Sequence, residues 1–600
     1  MDGIKNMIKD RSALVDSLLQ QMSILEKIGQ MTQADKNSIK PGDITKYFIG
    51  SILSGGGQYP PSNTTQGWAD MVDGFQQETL RTRLAIPMIY GVDAVHGHAA
   101  LYGATVFPQE IGLGATRDAD LVKRIGQATA EELLATGIPW NFAPMVAVTQ
   151  DIRWGRTFEC FSEDATLVTE LGTAYLQGLQ AIPEAFSCRD QREIFVLATP
   201  KHFLGDGGTT FGSSSQNTNL PYLLDRGDTK LDEARMRQLF LPAYQAAVEN
   251  GARCIMVSYS SWNGTKMHAQ KYWISHVLKG ELGFKGFIVS DWGGIDEIDT
   301  DYYKAVVTAI NAGIDLNMVP YDYVRFINTM TEAIKNRDIS MKRIDDAVRR
   351  ILTVKYELGL FNHPFSDPTL IQTVGSTDHR ELARQAVRKS LVMLKNENNA
   401  LPISKTDSSI YVAGQGADDI GMQCGGWTIE WMGKSGDIQP GTTIYKGIRG
   451  SVSPFTQVRC NSMGEFDGMA EVGIAVVGEQ PYAEGVGDTT DLSLSSRDIQ
   501  MITKLRTHCQ KLVVLVLSGR PLVITSQYHL ADAWVAVWLP GTEGSGVADV
   551  IFGDYPFSGK LPSTWPRSNN QLPLNVNNAA IGSSGSTPLF PFGFGLSTPG

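Results

Sequence analysis

An aspartate followed by a tryptophan ends a short apolar run near the middle of the chain. The run Gly286-Phe287-Ile288-Val289-Ser290 is typical of a buried strand, and Asp291-Trp292 comes directly after it. A carboxylate at the end of a parallel barrel strand is held on a rigid element and is open to a ligand. The indole beside it offers a flat apolar face suited to a sugar ring. Alternatively, Asp291 is the N-cap of a following helix, since aspartate is favoured there and Gly293-Gly294 follow.

Polar residues suited to ligand recognition also follow four other predicted strands. In chain order they are Asp93, Arg156, the pair Lys201-His202, and Tyr259. The carboxyl ends of parallel barrel strands share one rim, so we expect these residues to meet Asp291 around one ligand. Taken singly, each has an ordinary alternative, since Arg156 could form a surface ion pair and His202 could be a satisfied core residue.

The composition predicts a globular protein with more than one domain. The chain has 600 residues, 42% of them hydrophobic and 19% charged, and a single core does not grow to that size. The net charge of -11 argues against nucleic acid as a partner, because phosphate backbones are bound by clustered Lys and Arg. No apolar stretch reaches the roughly 20 residues that cross a bilayer, so we expect no membrane partner.

The cysteines indicate neither a zinc site nor a dense disulfide framework, because they are scattered and lack CxxC spacing or nearby histidines. We expect most of them to be free thiols, with one or two bridges at most, and we expect no metal and no cofactor. The six are Cys160, Cys188, Cys254, Cys424, Cys460 and Cys509.

The expected cellular compartment depends on whether a leader peptide has been removed. Residues Met1 to Asp10 lack the features of a signal peptide, so the protein is cytoplasmic unless a leader has been removed, in which case a secreted or periplasmic location is favoured. Sequons at Asn63 and Asn263 are compatible with secretion but common by chance. The oligomeric state is left between monomer and homodimer.

Repeated βα units are predicted for residues 1–360. Helical patterns such as Asp120–Thr136, Leu231–Asn250 and Tyr302–Asn311 alternate with short apolar strands. Seven strands can be identified, one short of a full ring, and the pattern predicts a (β/α)8-like TIM barrel. The strands are Phe48–Leu53, Ile86–Tyr90, Ile138–Ala143, Val196–Thr199, Cys254–Ser258, Gly286–Ser290 and Ile314–Val319.

A second domain of α/β type is predicted after a linker. Residues 361–375, with Pro364 and Pro368, form the linker, residues 376–566 the domain, and residues 567–600 a Gly-, Ser-, Asn- and Pro-rich tail. The strands of the domain are almost continuously apolar, as buried parallel strands are, which predicts a three-layer α/β sandwich. They are Ile410–Ala413, Val472–Val477, Leu512–Leu517 and Trp534–Leu539.

Several segments together resemble glycoside hydrolase family three, in particular its two-domain β-glucosidases and β-D-glucan glucohydrolases. The similarity covers nearly the whole chain, and jointly the segments are highly specific. They are Gly91-Val92-Asp93-Ala94-Val95-His96-Gly97, Arg153-Trp154-Gly155-Arg156, Lys201-His202-Phe203, Ser290-Asp291-Trp292, Ser518-Gly519-Arg520-Pro521, Leu539-Pro540-Gly541-Thr542-Glu543-Gly544, Gly559-Lys560-Leu561-Pro562 and Phe590-Pro591-Phe592-Gly593-Phe594-Gly595.

The resemblance implies a retaining mechanism with Asp291 as the nucleophile. Such an enzyme needs a second carboxyl, protonated at rest, about 5 to 5.5 Å away beside the leaving oxygen. The loop Val477 to Asp488 resembles the acid/base loop of the family, with Glu484 as the best match. Glu479 and Asp488 are competitors, because spacing alone does not order three loop acids. The site would then lie in a cleft between two domains.

The resemblance also implies which side chains bind the sugars. The hydroxyls of the terminal glucosyl unit would be bound by Asp93, Arg156, Lys201, His202 and Tyr259. Because a buried polar group left unpaired is costly, such a set rejects sugars that lack a matching hydroxyl.

Two tryptophans would form the walls of the next subsite. Trp292 would supply one wall and Trp431, from the second domain, the other, while Trp427 nearby is a wall or a core residue. Two positions depart from plant-like members: Gly293 replaces a common glutamate, and Glu297 stands where an arginine is expected. Contacts to the leaving group and the linkage preference therefore stay open.

The predicted function is that of a retaining, exo-acting β-glucosidase or β-glucan glucohydrolase, which releases glucose from the non-reducing end of β-glucosides and gluco-oligosaccharides. A β-N-acetylglucosaminidase of the same family would need a histidine-containing loop after Lys201-His202-Phe203, and residues 204–212 contain no histidine. A Schiff-base role for Lys201 would need a desolvated amine, which its charged neighbours do not favour. A non-catalytic carbohydrate-binding protein is disfavoured because both carboxylates are present.

Overall fold

Two hydrophobic cores organise the part of the chain that the computed structural model describes, residues 13–183, 194–214, 222–578 and 587–597. The first core is built from residues between 15 and 386, and the second chiefly from residues between 387 and 590. Val95, Ile111 and Phe158 nevertheless belong to the second core. The two units therefore share a buried apolar interface.

A closed parallel barrel lies at the centre of the first unit. Its strands are β1 (Thr32–Asp35), β2 (Ser51–Ser54), β3 (Ile89–Val92), β4 (Trp140–Asn141), β5 (Cys254–Met256), β6 (Phe287–Val289) and β7 (Asn317–Met318). Five strands pair in the order β7-β1-β2-β3-β4, and β5 pairs with β6. Single parallel bridges close the ring between these two groups: Trp140 to Leu197, Phe203 to Val257 and Val289 to Leu316. The segment with Leu197 and Phe203 occupies the fifth of eight positions, so the predicted barrel is confirmed.

The strand absent from the sequence prediction is β1. Its residues Thr32-Gln33-Ala34-Asp35 are mostly polar but fully buried. Gln33 donates through Nε2 to Ser51 Oγ at 2.9 Å, and Ser51 donates to the Ile89 carbonyl at 2.8 Å. Apolar runs in the sequence therefore mark seven of the eight strand positions. They miss β1, because polar pairs between strands replace apolar packing here and leave no apolar run to detect.

Helices cover the outside of the barrel and reverse the chain between strands. The helix predicted over Leu231–Asn250 is instead two helices, because the chain bends at Phe240 and Pro242 stands in the first turn of the second. The helices of this unit are Ile24–Gln30, Asp43–Tyr47, Thr65–Thr79, Glu110–Thr116, Ala119–Leu134, Ala165–Leu179, Glu233–Leu239, Leu241–Glu249, Tyr272–Glu281, Tyr302–Ala312, Tyr323–Lys335 and Met341–Glu357.

A six-stranded sheet is the middle layer of the second unit, and the predicted α/β sandwich is confirmed. Its strands are β8 (Val392–Asn396), β9 (Ser409–Ala413), β10 (Gln457–Asn461), β11 (Ala470–Gly478), β12 (Cys509–Leu517) and β13 (Ala533–Ala536), and its helices are Thr377–Ser390, Ile420–Cys424, Ile444–Ser451, Ser496–Arg506 and Ser545–Ile551. The order is β8-β13-β12-β11-β9-β10, with only β8 antiparallel to its neighbour. The two edge strands, β8 and β10, are not among the predicted strands; β10 is half exposed and has no continuous apolar run.

Within the described ranges, no helix is long and apolar enough to cross a membrane, and no cluster of three or more His, Cys, Asp or Glu side chains could hold a metal ion. The cysteines at 160, 254, 424, 460 and 509 are free thiols, as expected. Cys188 lies outside the described residues.

Lys355 ties together the amino-terminal ends of three barrel strands. Its buried ammonium donates to Gln30 Oε1 at 2.7 Å, to the Gly50 carbonyl at 2.8 Å and to the Pro87 carbonyl at 2.7 Å. These acceptors precede β1, β2 and β3, at the end of the barrel opposite the predicted ligand rim. Residues at this end of a barrel contribute to stability rather than to catalysis.

We expect Lys355→Met to lower the unfolding temperature clearly, because Gln30 Oε1 and the Pro87 carbonyl lose this donor and each unsatisfied group costs roughly 1–3 kcal/mol. The Gly50 carbonyl keeps the Ile89 N–H at 3.1 Å. Differential scanning calorimetry measures the shift. Lys342→Met, at an exposed position of the same helix, is the matched control and should change the temperature little. Equal shifts for the two variants would contradict the role of Lys355.

Candidate active site

A cavity of about 300 Å³ opens at the carboxyl ends of the barrel strands, and both units contribute to its wall. All nine predicted site residues line it. They are Asp93, Arg156, Lys201, His202, Tyr259, Asp291 and Trp292 from the barrel, with Trp431 and Glu484 from the second unit. The structure therefore brings together the complete set that the sequence placed around one ligand.

Asp291 follows β6 and lines the cavity, and one of its carboxylate oxygens is buried without a hydrogen-bond partner. Its Oδ1 accepts the Trp292 N–H at 2.7 Å, whereas its Oδ2 accepts no hydrogen bond and lies 3.6 Å from His202 Nε2. Burial raises the pKa of the Asp291 carboxyl to about 7, and Arg156 opposes this rise. The N-cap alternative is wrong, since the short 3₁₀ helix Gly294–Glu297 is preceded by Gly293 and has no side-chain cap.

His268 accepts a hydrogen bond from the backbone of Asp291. The backbone N–H of Asp291 donates to His268 Nε2 at 3.0 Å, and burial lowers the pKa of this imidazole to about 3. The ring is therefore neutral and carries its proton on Nδ1. A side chain at position 294 would lie 2.5 Å from this ring, so Gly294 allows the ring to pack beneath the strand end. The sequence predictions do not include His268.

The polar side chains around the cavity are held in place by buried partners. Lys201 donates to Asp93 Oδ1 at 2.7 Å, and His202 Nδ1 lies 2.9 Å from Asp206 Oδ2. Arg156 donates through Nε and Nη2 to the two oxygens of Glu159, at 3.0 and 2.8 Å. Charge-assisted, bidentate contacts of this kind fix side-chain direction.

The two predicted tryptophan walls rest on adjacent glycines of the loop after β2. A Cβ at Gly55 would lie 2.9 Å from the Trp292 ring, and one at Gly56 would lie 2.7 Å from Trp431 Cβ. Trp427 also lines the cavity, with Lys201 Nζ 5.7 Å from its ring centroid. Trp427 is therefore part of the site and is not a core residue alone.

The three acids of the loop after β11 have different surroundings. Glu479 binds Arg520 Nε at 2.9 Å and accepts the Gly519 N–H at 3.1 Å. Asp488 is saturated by backbone N–H groups of the barrel. Only Glu484 faces the cavity, where Arg156 Nη1 lies 3.4 Å from its Oε1. The geometry thus separates three candidates that spacing left together.

Asp488 docks this loop on the barrel. Its Oδ1 accepts the Gly155 N–H at 2.8 Å, and its Oδ2 accepts those of Leu223, Leu224 and Asp225 at 2.9, 2.7 and 2.9 Å. A Cβ at position 155 would lie 1.9 Å from the Glu484 carbonyl oxygen, so only glycine permits this approach of the two backbones.

Arg226 is the main cavity residue that the sequence predictions lack. Its guanidinium donates to Glu297 at 3.0 Å, lies 3.6 Å from Glu484 Oε2 and stacks over the Tyr259 ring at 3.7 Å. It follows no predicted strand, because it belongs to the long connection between the fifth strand position and β5. No local pattern marks such a residue.

Comparison with known families agrees with this two-part site. Residues 23–354 match the model of the glycosyl hydrolase family 3 N terminal domain, and residues 391–598 match that of the C-terminal domain. The chain belongs to glycosyl hydrolase family 3.

Relatives of this family 3 chain cover almost its full length. A lysosomal beta glucosidase of Dictyostelium discoideum is 32% identical, with 99% of this chain and 76% of the relative covered. A periplasmic beta-glucosidase of Salmonella typhimurium is 30% identical over 98% and 80% of the two chains.

Solved structures of the family show the same fold. An exo-1,3/1,4-beta-glucanase from a Pseudoalteromonas species superimposes with a TM-score of 0.90 at 38% identity, covering 98% of this chain and 74% of that one. A beta-glucosidase from Listeria innocua in complex with glucose gives 0.82 at 26% identity, covering 98% and 83%. The chain is thus a two-domain glycoside hydrolase.

We expect Asp488→Ala to release the docked loop, because four backbone N–H groups lose their common acceptor. Hydrogen–deuterium exchange with mass spectrometry should show faster exchange at the amides of 223–225. Asp491→Ala, in the same loop but bonded within the second unit to Ser493 and Asn569, is the control and should leave these amides protected. Unchanged exchange in Asp488→Ala would exclude the docking role.

Proposed function

We propose that this enzyme removes glucose from the non-reducing end of β-glucosides and gluco-oligosaccharides with net retention. The observation that carries the proposal is the meeting of two carboxyl groups from different units, Asp291 and Glu484, in one cavity lined by sugar-binding side-chain types. The relatives that are named beta-glucosidase and exo-1,3/1,4-beta-glucanase support this substrate class.

In the first step, the Asp291 carboxylate attacks the anomeric carbon and the bond from that carbon to the glycosidic oxygen breaks. Glu484 donates its proton to the departing oxygen, so the leaving group departs as an alcohol. The Asp291 carboxylate is oriented by the Trp292 N–H, which donates to Oδ1, and by His202, whose Nε2 lies 3.6 Å from Oδ2.

In the second step, water replaces the leaving group. Glu484, now ionised, removes a proton from this water as its oxygen attacks the anomeric carbon. The bond to Asp291 breaks, β-glucose is released, and both carboxyl groups return to their starting states. Two inversions at one carbon give net retention.

Buried ion pairs select the sugar in this proposal. Lys201 and Asp93 pair with each other and Arg156 pairs with Glu159 and Glu484, and all three present their remaining donors or acceptors to the ring hydroxyls. A sugar without the matching hydroxyl leaves such a group unpaired. In the most sensitive sites this lowers kcat/KM for that sugar about 10⁴-fold relative to glucose. The acetylglucosaminidase alternative lacks its loop histidine and is not favoured.

The stereochemistry of the first-formed product tests the reaction. Wild-type enzyme acting on an aryl β-glucoside should give β-glucose before mutarotation, as followed by proton NMR of the anomeric signal. Asp291→Asn should reduce kcat by at least about 10⁴-fold, because an amide cannot act as the nucleophile. Initial α-glucose, or a fully active Asp291→Asn variant, would refute the mechanism.

The role of Glu484 is tested by leaving-group dependence. Glu484→Gln should lower kcat/KM by about 10²–10⁴-fold on substrates with poor leaving groups, which need protonation, and much less on 2,4-dinitrophenyl β-glucoside. Added azide should restore turnover and yield β-glucosyl azide, which NMR identifies. Asp491→Asn, in the same loop but outside the cavity and bonded within the second unit, is the control. An equal loss on both substrates would exclude Glu484 as the acid.

A further inference from the structure

Six charged side chains of alternating sign form one chain across the rim of the cavity. In order they are Lys266, Glu297, Arg226, Glu484, Arg156 and Glu159, with successive separations of 2.8, 3.0, 3.6, 3.4 and 2.8 Å. Five of the six belong to the barrel, and only Glu484 comes from the second unit. Glu484 therefore enters a gap between two guanidinium groups.

The two contacts of Glu484 are the longest in this chain of charges, whereas both arginines are fixed by the barrel itself. Arg156 has its bidentate bond to Glu159, and Arg226 is bonded to Glu297 and stacked on Tyr259. Glu297 is held in turn by Lys266 at 2.8 Å. The gap between the two guanidinium groups is thus formed by barrel residues alone. Glu484 occupies this gap and is not required for the arginines to be held in place.

Backbone and side chain of Glu484 are held by different groups. The backbone of its loop is anchored by Asp488 and by Asp225, whose Oδ2 accepts the Gly485 N–H at 3.1 Å. The carboxylate itself lies 3.4 Å from Arg156 Nη1 and 3.6 Å from Arg226 Nη2. The arginines therefore set the direction of the carboxyl group within a loop that is already docked.

Arg226 pairs with the residue at position 297. Where the family resemblance leads to an expected arginine, this chain has Glu297, and the guanidinium near it comes from another loop. Arg226 thereby joins Glu297 to Glu484, at 3.0 and 3.6 Å.

We propose that Arg226, anchored by Glu297, is a positioning residue that holds the Glu484 carboxyl group at the leaving-group oxygen. The proposal rests on the proposed acid/base role of Glu484. Arg226 acts through Glu484, so its loss should resemble a misplaced acid. A displacement of about 1 Å at a catalytic group costs on the order of 100-fold in rate.

The test compares kcat/KM for a β-linked disaccharide, which needs protonation, with that for 2,4-dinitrophenyl β-glucoside, which does not. We expect Arg226→Gln to lose about 10- to 100-fold on the disaccharide and less than about 3-fold on the dinitrophenyl substrate. Arg226→Lys, which keeps the charge but not the planar fork, should lose less. Glu297→Gln should show the same selective loss as Arg226→Gln, because it frees the guanidinium.

Arg237→Gln is the matched control, since Arg237 also bonds two glutamates, Glu233 and Glu281, and lies over a tryptophan ring, but outside the cavity. It should leave the ratio of the two kcat/KM values unchanged. Equal losses on both substrates in Arg226→Gln, or no loss, would overturn the positioning role. If Arg226→Gln does not fold, Glu297→Gln decides by the same ratio.

Glu484→Gln, measured in parallel, separates the two proposals. A selective loss in Glu484→Gln without one in Arg226→Gln refutes the role of Arg226 alone. No selective loss in Glu484→Gln refutes the proposed acid, and with it the basis for Arg226.

Discussion

The docking of one loop of the second unit on the barrel rim is the contact on which the cavity depends. Asp488 gathers four barrel N–H groups, and Gly155 lets the two backbones approach to a distance that any side chain would prevent. Arg520 adds a buried link, since it binds Glu479 of the loop and the Arg153 carbonyl of the barrel. These contacts, together with the bond from the Gly485 N–H to Asp225, fix the position of Glu484 relative to Asp291. Relative placement of groups on separate units can change a rate by orders of magnitude.

Charge pairing explains how so many ionisable groups can be buried around a small cavity. An isolated buried charge is very costly, but one that is paired and hydrogen-bonded is tolerated. Here Lys201 has Asp93, Arg156 has Glu159, and Arg226 has Glu297. Asp291 is the exception, because its Oδ2 has no hydrogen-bond partner and burial raises its pKa to about 7. Groups with perturbed pKa in a cleft are typical of functional sites, and the exception lies where the proposed chemistry occurs.

Strands with a repeated apolar pattern and residues within family-specific segments could be predicted from the sequence. Strands and site residues that depend on tertiary contacts could not, because they leave no local pattern. Apolar runs marked seven barrel strands and four strands of the sandwich, and strand-end residues with family segments marked the nine cavity residues. Polar β1 was not predicted because its Gln33 side chain bonds to the neighbouring strand instead of packing in an apolar run. The edge strand β10 was not predicted because an edge strand needs no apolar run. Arg226 and His268 were missed because their roles arise from contacts with loops distant in sequence. The choice among Glu479, Glu484 and Asp488 needed the fold, since only their surroundings differ.

The division of the cavity between two units also matters for a chain that is synthesised from its amino terminus. Under the proposed roles, the ribosome completes the nucleophile and the glucose-binding side chains long before it reaches Trp431 and Glu484. A chain that ends before the second unit therefore carries the nucleophile without the acid/base group and has no hydrolytic activity. Hydrolytic competence appears only when the second unit has folded and docked, so activity itself reports that this docking has taken place.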